Sequence, residues 1–528
     1  MYRKPVKNIV VLGGGTAGWL AAGYISSQLP DVTITVIESD KTKIVGVGET
    51  TVPQFRTHLE KMGLQESQWM KASGSTFKYG ARFDGWRTGS DSRWHGFGDF
   101  LGEKSILKST GEINKASASK ETDHAIDCDY WFKLLQQNKI SGSQLNWFNS
   151  EAYYLIKHSR AHALMDGTQV ASRCPGYAYN INAFKVGQAI KDLVAMPNGV
   201  VHKVAHIDQV VYAEDQSVDY LIDSNGQKHT ADLYIDCTGF RRLLIGEHSK
   251  WISFSDRLGC QNAIGGRVQY NDDQETACDP VLHTTAMSAG WSWRVPLRDD
   301  TGSGCVFDSR FIDPDDAEQE LIDLWKSRGK EIDIKVRIKY DNGILDRSAH
   351  RNVVAVGLAS NFLEPLEATS ISFTTLANEL IVQLIQKHNG HWGHRDSETL
   401  SRLMRREIDY TTDFIWLHYA LTQRKDTEFW RHVGQHREQA LQLAYRWYLD
   451  NVDIHRREKD FDHTRYNKFD WAQMLTSQCA YHDVPTHPVD SRFLERALIQ
   501  YQYRDTVGQW MSRTLPSHWQ YLLHINNS

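Results

Sequence analysis

Three glycines in the run Gly13-Gly-Gly15-Thr16-Ala17-Gly18 have the G-x-G-x-x-G spacing, which does a definite physical job. The first permits a tight turn, the second lets a pyrophosphate approach the backbone, and the third allows a helix to pack close to a strand. A helix starting there turns its unpaired N–H groups and positive dipole end toward the anion. Glu38 lies 25 positions after Gly13, near the roughly 20 expected for an acid that bonds a ribose hydroxyl. Gly13, Gly15, Thr16, Ala17, Gly18 and Glu38 are therefore expected to hold a dinucleotide; the competing reading is a glycine-rich turn without a ligand. His432 and His436 stand four apart on a predicted helix, but no HExxH motif or nearby acid accompanies them, and no metal is expected.

The elements around the glycines suit that reading. Asn8-Ile-Val-Val-Leu12 is a short apolar run, as expected of a parallel strand buried on both faces. A helical segment follows the glycines, and Val32 to Ile37 forms a second strand ending at Glu38, which completes a Rossmann-type βαβ unit over 8–38. Strand-like segments recur from about 150 to 360, among them Leu233 to Cys237, Gly266 to Tyr270, Trp291 to Leu297 and Val353 to Val356. After Thr369 the period becomes helical, with Leu376, Leu380, Leu384 and Ile385 on one face. Ser105 to Lys120, rich in Ser, Lys and Thr, is expected to be a mobile surface loop and a conceivable lid.

Composition excludes several classes. The 60 basic and 65 acidic residues give a net charge of −5, with no basic footprint for nucleic acid. No run approaches the roughly 18 apolar residues that span a bilayer. The seven cysteines are odd in number, widely spaced and without a CxxC pair, as expected of reduced thiols in a soluble cytoplasmic protein. Seven of the 17 tryptophans fall in the last 148 residues, which marks the tail as different in composition.

The strand Leu233-Tyr-Ile-Asp236-Cys-Thr238-Gly239 resembles the D-x-T/S-G turn late in the FAD domain of two-dinucleotide-fold flavoproteins. It adds Asp236 and Gly239 to the cofactor contacts and favours flavin over NAD. A wider resemblance rests on Gly46-Val-Gly48-Glu49-Thr-Thr-Val-Pro53, Lys78, Gly290-Trp291-Ser-Trp293-Arg-Val-Pro296 and Gly357 through Glu367-Ala-Thr369-Ser370-Ile371. In order and spacing these segments resemble the flavin-dependent halogenases from residue 8 to about 385, and more weakly at His418 to Trp430. WSWRVP is similar to their W-x-W-x-I-P box, with Val295 in place of isoleucine.

The resemblance implies an α/β (α+β) fold: an FAD-binding, flavoprotein-monooxygenase-like module over 1–385 and a mainly α-helical, substrate-covering module over 386–528. It implies a two-component oxidoreductase of monooxygenase type, in which an NAD(P)H-dependent flavin reductase supplies FADH2 and chloride or bromide becomes hypohalous acid. Lys78 would receive that acid, by hydrogen bonding or as a chloramine. Alternation along Phe77 to Asp84 puts Lys78 on a polar strand face, where an ordinary surface lysine is the competing reading. Glu367 would take the proton from the halogenated arene, unless it merely complements a helix N-terminus. Thr369 and Ser370 would line the halide site, and Gly48, Glu49 and Gly357 join the cofactor contacts. Trp291 and Trp293, two apart on one strand face, would form a wall between flavin and substrate, with His95 and Phe97 lining the substrate cavity; core packing competes for all four.

Two departures bear on the substrate. Ala368 stands where the family usually has serine. The paired tyrosines and glutamate that hold free tryptophan in other members have no counterpart between Glu438 and Trp471. An indole or another electron-rich small aromatic is expected instead, with some tail tryptophans walling its cavity above Lys78. An aromatic hydroxylase on the same fold and a non-catalytic flavin-binding protein are the alternatives, and a homodimer is left open.

Overall fold

The computed structural model describes residues 3–41, 48–97, 128–140, 151–167, 176–457, 466, 468–484, 486 and 491–527. The Ser105 to Lys120 segment lies outside the described residues, as does Gly46 of the resembling segments.

A six-stranded sheet carries the N-terminal motif. Its order is Ala349–His350, Val353–Ala355, Leu233–Asp236, Asn8–Leu12, Thr33–Glu38, Val201–Val204, parallel throughout except for the first strand. Ile9, Val10, Val11 and Leu12 are all buried, as the continuous apolar run requires. Leu12 pairs with Ile37 on one side and Asp236 on the other, so Gly13, Glu38 and Cys237 emerge together at the carboxyl edge of the sheet. Parallel sheets of this kind bind ligands at that edge. The helix Thr16–Gln28 covers the sheet, and its Trp19, Leu20, Ala21, Ala22 and Ile25 are buried.

A seven-stranded sheet, in the order Asp333–Lys339, Asn262–Gln269, Asp300–Phe307, Gly290–Pro296, Leu282–Ala286, Gly80–Asp84, Ser92–Gly96, carries the tryptophan box at its centre. The expected strand through Phe77 to Asp84 is divided between two sheets. Thr76–Lys78 pairs with Ala178–Ile181, whereas Gly80–Asp84 joins the seven-stranded sheet after Tyr79 donates its N–H to Pro280. Lys78 consequently does not sit on an outer polar face. It is 2% exposed, between sheets.

Helices dominate after residue 369: Thr369–Lys387, His394–Ala420, Glu428–Val433, Arg437–Arg457, Lys468–Ser477, Ser491–Thr514 and His518–Asn527. Residue 385 falls within the first of these, and the main apolar core takes in Tyr521 and Leu522 together with Ile9 and Trp19. A second core gathers Phe132, Phe414, Tyr448 and Trp471. Cys237, Cys260, Cys278, Cys305 and Cys479 are free thiols. Among the described residues, no helix is long and apolar enough to cross a membrane.

Candidate functional site

A cavity of about 1140 Å3 opens at the carboxyl edge of the parallel sheet. Gly13, Gly15, Thr16 and Ala17 form one end of it, at the start of the helix Thr16–Gln28. That helix has no side-chain cap and no acid in its first turn, so its orphan N–H groups are left for an anion such as a pyrophosphate. Gly18 stands outside the wall and acts through packing: a Cβ there would lie 1.8 Å from the Gly13 carbonyl oxygen. Glu38 lines the cavity at its strand tip and accepts from His202 Nε2 at 2.9 Å. These features fit the phosphates and ribose of FAD.

Asp236 is in a different position from the one expected. It is fully buried and outside the cavity wall, and its carboxylate accepts from Thr238 N and Oγ1 and from Leu244 N and Ile245 N. The carboxylate is consumed in building the turn, which brings Cys237, Thr238 and Gly239 to the cavity. Gly48 and Glu49 also line the wall, with the Glu49 side chain exposed. Gly357, at φ +68°, lies so close to Ala17 that a Cβ would come within 2.8 Å of the alanine methyl.

At the other end Trp291 and Trp293 share the wall, with ring centroids 6.2 Å apart. Their spacing of two does place both indoles at one cavity. The buried Trp293 Nε1 has no hydrogen-bond partner among the described residues. Thr369 and Ser370 open the helix Thr369–Lys387 beside them, again without a side-chain cap or an acid in the first turn. Ala368 precedes them in the left-handed region, at φ 57° and ψ 44°, and the buried Thr369 Oγ1 has no hydrogen-bond partner among the described residues. Unpaired donors at a helix N-terminus suit a small anion.

Lys78 and Glu367 are adjacent to this cavity and outside its wall. The Lys78 ammonium donates to Thr50 Oγ1 at 2.6 Å and to the Thr51 carbonyl at 3.1 Å, and lies 5.1 Å from the centre of the Phe97 ring. Thr50 itself lines the cavity, so the lysine is one side chain removed from it. Glu367 is held between two histidines: its Oε1 lies 2.8 Å from His418 Nε2 and 3.3 Å from His95 Nδ1. His95 Nε2 in turn meets Asp470 Oδ1 at 3.2 Å. Behind His418, the buried Arg93 donates to Nδ1 at 2.8 Å, which assigns a neutral ring with its proton on Nε2.

Electrostatics follow from these contacts. Burial disfavours the Glu367 carboxylate, yet His95 and His418 outweigh it and hold the group well below the usual carboxylate range. Burial also opposes charge on His95, but Glu367 and Asp470 push it up to about 10. Burial, helped by Arg93, takes His418 down to about 4 against the pull of Glu367. At neutral pH the cluster is therefore carboxylate, imidazolium and neutral imidazole.

His95 and Phe97 thus come to the two reactive groups, His95 to Glu367 and Phe97 to Lys78. Sequence reasoning assigned no site role to His418, Arg93, Asp470 and Glu364: His418 and Asp470 are remote in the chain from the residues they serve, while Arg93 and Glu364 lie two and three residues before His95 and Glu367 and carry no spacing signal. It also placed tail tryptophans in a cavity wall. None of the seven lines the large cavity: Trp430 packs 5.7 Å from Trp86, and Trp447 stacks 6.0 Å from Trp471. Their indole N–H groups find partners inside the protein, Trp430 at Met287 O in the turn between two strands of the seven-stranded sheet, and Trp447 and Trp471 at Asp413 Oδ2 and Tyr410 Oη, so they serve as core.

The parallel sheet, the glycine turn and a cavity running from it to a tryptophan wall define an FAD-binding flavoprotein. The chain belongs to the tryptophan halogenase family, whose model matches residues 8–490. Tryptophan 6-halogenase ThaL of Streptomyces albogriseolus is 30% identical over 447 residues, 81% of this chain and 78% of ThaL. Tryptophan 7-halogenase RebH of Lentzea aerocolonigenes is 28% identical over 451 residues, with the same coverage. Among solved structures, Xcc4156, a flavin-dependent halogenase from Xanthomonas campestris, superposes with a TM-score of 0.79 at 26% identity, covering 98% of each chain. The protein is accordingly a flavin-dependent halogenase acting on aromatic substrates, with reduced FAD and a halide as cofactors. Halogenases of this kind take reduced flavin from a separate reductase.

Proposed function

We propose that the protein halogenates an indole or a similarly electron-rich small arene by electrophilic substitution, with Lys78 activating hypohalous acid and Glu367 removing the ring proton. The observation that carries this reading is the Glu367 carboxylate, clamped between His95 and His418 on the loop that leads into Thr369 and Ser370. The glycine turn and the cavity that runs to the Trp291–Trp293 wall would hold FAD, which in reduced form would supply, together with oxygen, the oxidant that converts halide to hypohalous acid. The uncapped N-terminus at Thr369 and Ser370 holds the halide.

Lys78 donates a hydrogen bond to the oxygen of the acid, which makes that oxygen the better leaving group. The arene attacks the halogen, the halogen–oxygen bond breaks, and the oxygen leaves as water with a proton from Lys78. A carbon–halogen bond has then formed on a cationic ring. Glu367 takes the proton from that carbon, and the bonding pair restores aromaticity. A cationic arene is a far stronger acid than any carboxyl group, so a carboxylate of lowered basicity suffices. Its low affinity for protons keeps it ionised and ready. The helix Lys468–Ser477 covers the substrate side, lying along Ser92–Gly96 with Gln473 bonded to both polar groups of the Gly96 backbone.

The test is incubation with FAD, a flavin reductase, NADH, oxygen and bromide or chloride over a panel of indoles. Mass spectrometry is expected to find the halogen isotope pattern on an indole lacking the amino-acid backbone. Hydroxylated product, or no product over the whole panel, would sink the proposal.

A further inference from the structure

The loop that bears Glu367 has a second carboxyl group three residues earlier, and the two are gripped by consecutive residues of one helix. His418 donates to Glu367, and the Tyr419 hydroxyl donates to Glu364 Oε1. The same Glu364 oxygen accepts from Trp291 Nε1 at 3.4 Å. Glu364 is fully buried, its backbone N–H is fixed by Asn342 Oδ1 at 2.7 Å, and Asn342 is in turn held by the carbonyls of Leu258 and Cys260. Its Oε2 has no hydrogen-bond partner among the described residues. A carboxylate left this way would be costly, and burial pushes the group up to about 7, so its neutral acid form is accessible at neutral pH.

We propose that Glu364 is a positioning residue that ties the Trp291 wall to the helix holding the base, so that wall and Glu367 keep one register. The connection runs from Trp291 in the seven-stranded sheet, through Glu364, to Tyr419, whose chain neighbour His418 orients Glu367. Three elements distant in sequence meet at one carboxyl oxygen. Loosening this contact frees the Trp291 indole to turn, and oxidant is then lost before it meets the arene. The proposal rests on the halogenase mechanism above.

The experiment compares Glu364→Ala, Glu364→Gln and Tyr419→Phe for halogenated product formed per oxygen consumed, with hydrogen peroxide as the loss product. Displacements of about 1 Å near a reacting centre cost up to about a hundred-fold, so Glu364→Ala is expected to lower the product per oxygen about ten-fold and Tyr419→Phe about three-fold. Peroxide rises to match, and flavin affinity stays within about two-fold. Glu364→Gln keeps an acceptor oxygen for both donors and should recover most of the coupling. The Trp291 indole N–H, assigned in 15N-tryptophan protein by Trp291→Phe, should shift upfield in Glu364→Ala and stay in place in Glu364→Gln. Undiminished coupling with an unmoved indole resonance in Glu364→Ala overturns the proposal, as does a Gln variant as uncoupled as Ala. If Glu364→Ala does not fold, Tyr419→Phe decides, and normal coupling in it overturns the proposal. Wild-type protein that makes no halogenated product counts against the parent reading, while the indole resonance still reports on Glu364.

Discussion

His418 donates its Nε2–H to Glu367 at 2.8 Å from between the two cores, 51 residues further along the chain, with its ring stacked on Phe83 and met edge-on by Phe414. The contact orients the carboxylate without neutralising it, because Arg93 occupies the other ring nitrogen and the imidazole stays uncharged. The positive charge comes from His95 instead. A buried carboxylate with one charged and one neutral donor keeps its charge, its geometry and a free oxygen edge.

Glu367→Gln removes the charge and keeps the shape. Turnover should fall by about a hundred-fold or more, the usual range for losing a general base. Flavin affinity should be unaffected, since Glu367 is outside the cofactor cavity. Single-turnover halogenation and flavin titration together check this, and a rate near wild type would remove Glu367 from the mechanism.

Lys78→Ala should abolish halogenated product while FAD still binds. Lys78→Arg should fare little better, because a planar guanidinium cannot reproduce the compact contact with Thr50 Oγ1 and the Thr51 carbonyl in a site 2% exposed. The readout is the isotope pattern of the product beside the flavin absorbance of the purified protein.

Thermal stability should fall on both sides of neutrality. On the acid side His162, His418 and His518 sit at about 3, 4 and 4 in the folded chain, through burial first, against roughly 6.5 when unfolded. Below about 6.5 the unfolded chain binds their protons and the folded one does not, so stability drops as pH falls, by up to about 1.4 kcal/mol per pH unit for each group. Melting temperatures across pH 4 to 7 check this, and a flat profile would contradict the buried neutral rings.

On the alkaline side His95 has the opposite sign. Its folded value of about 10 exceeds the unfolded one, so its contribution is complete below about 6.5 and is lost as pH rises toward 10. Asp470→Asn removes one of the two carboxylates that face it; Glu367 remains, with His418 and Arg93 beyond it. The alkaline loss of stability should then be smaller and complete at lower pH, and the His95 ring resonances in NMR should titrate at lower pH. An unchanged midpoint would mean that Asp470 does not hold the His95 charge.

Gly18→Ala tests the glycine turn. The added methyl would fall 1.8 Å from the Gly13 carbonyl oxygen, so the helix and turn must separate, and flavin affinity should drop by about ten-fold or more. Fluorescence titration measures it; unchanged affinity would show that the turn yields at no cost to the cofactor.

The cofactor end was legible because its physics is local. A buried strand, a glycine turn and an uncapped helix N-terminus occupy consecutive residues, so Gly13 to Glu38 can be read directly from the chain. The tryptophan box was legible for the same reason, since strand alternation alone puts Trp291 and Trp293 on one face. Lys78 was misplaced because alternation assumes one strand, and the chain changes sheets at Tyr79. Asp236 was misassigned because a strand-end acid can face a ligand or its own turn, and only packing chooses. The tail tryptophans were misread because composition does not say which side of a helix meets the core.

The local sequence was enough for the dinucleotide turn and the parallel strands that present it, while the residues for halogenation were legible only through the resemblance to the flavin-dependent halogenases. The tertiary structure alone decided how Glu367 is charged and aimed. Its partners His95 and His418, with Asp470 and Arg93 behind them, come from one strand, Ser92–Gly96, and two helices, His394–Ala420 and Lys468–Ser477, and only long-range packing brings these to one carboxylate.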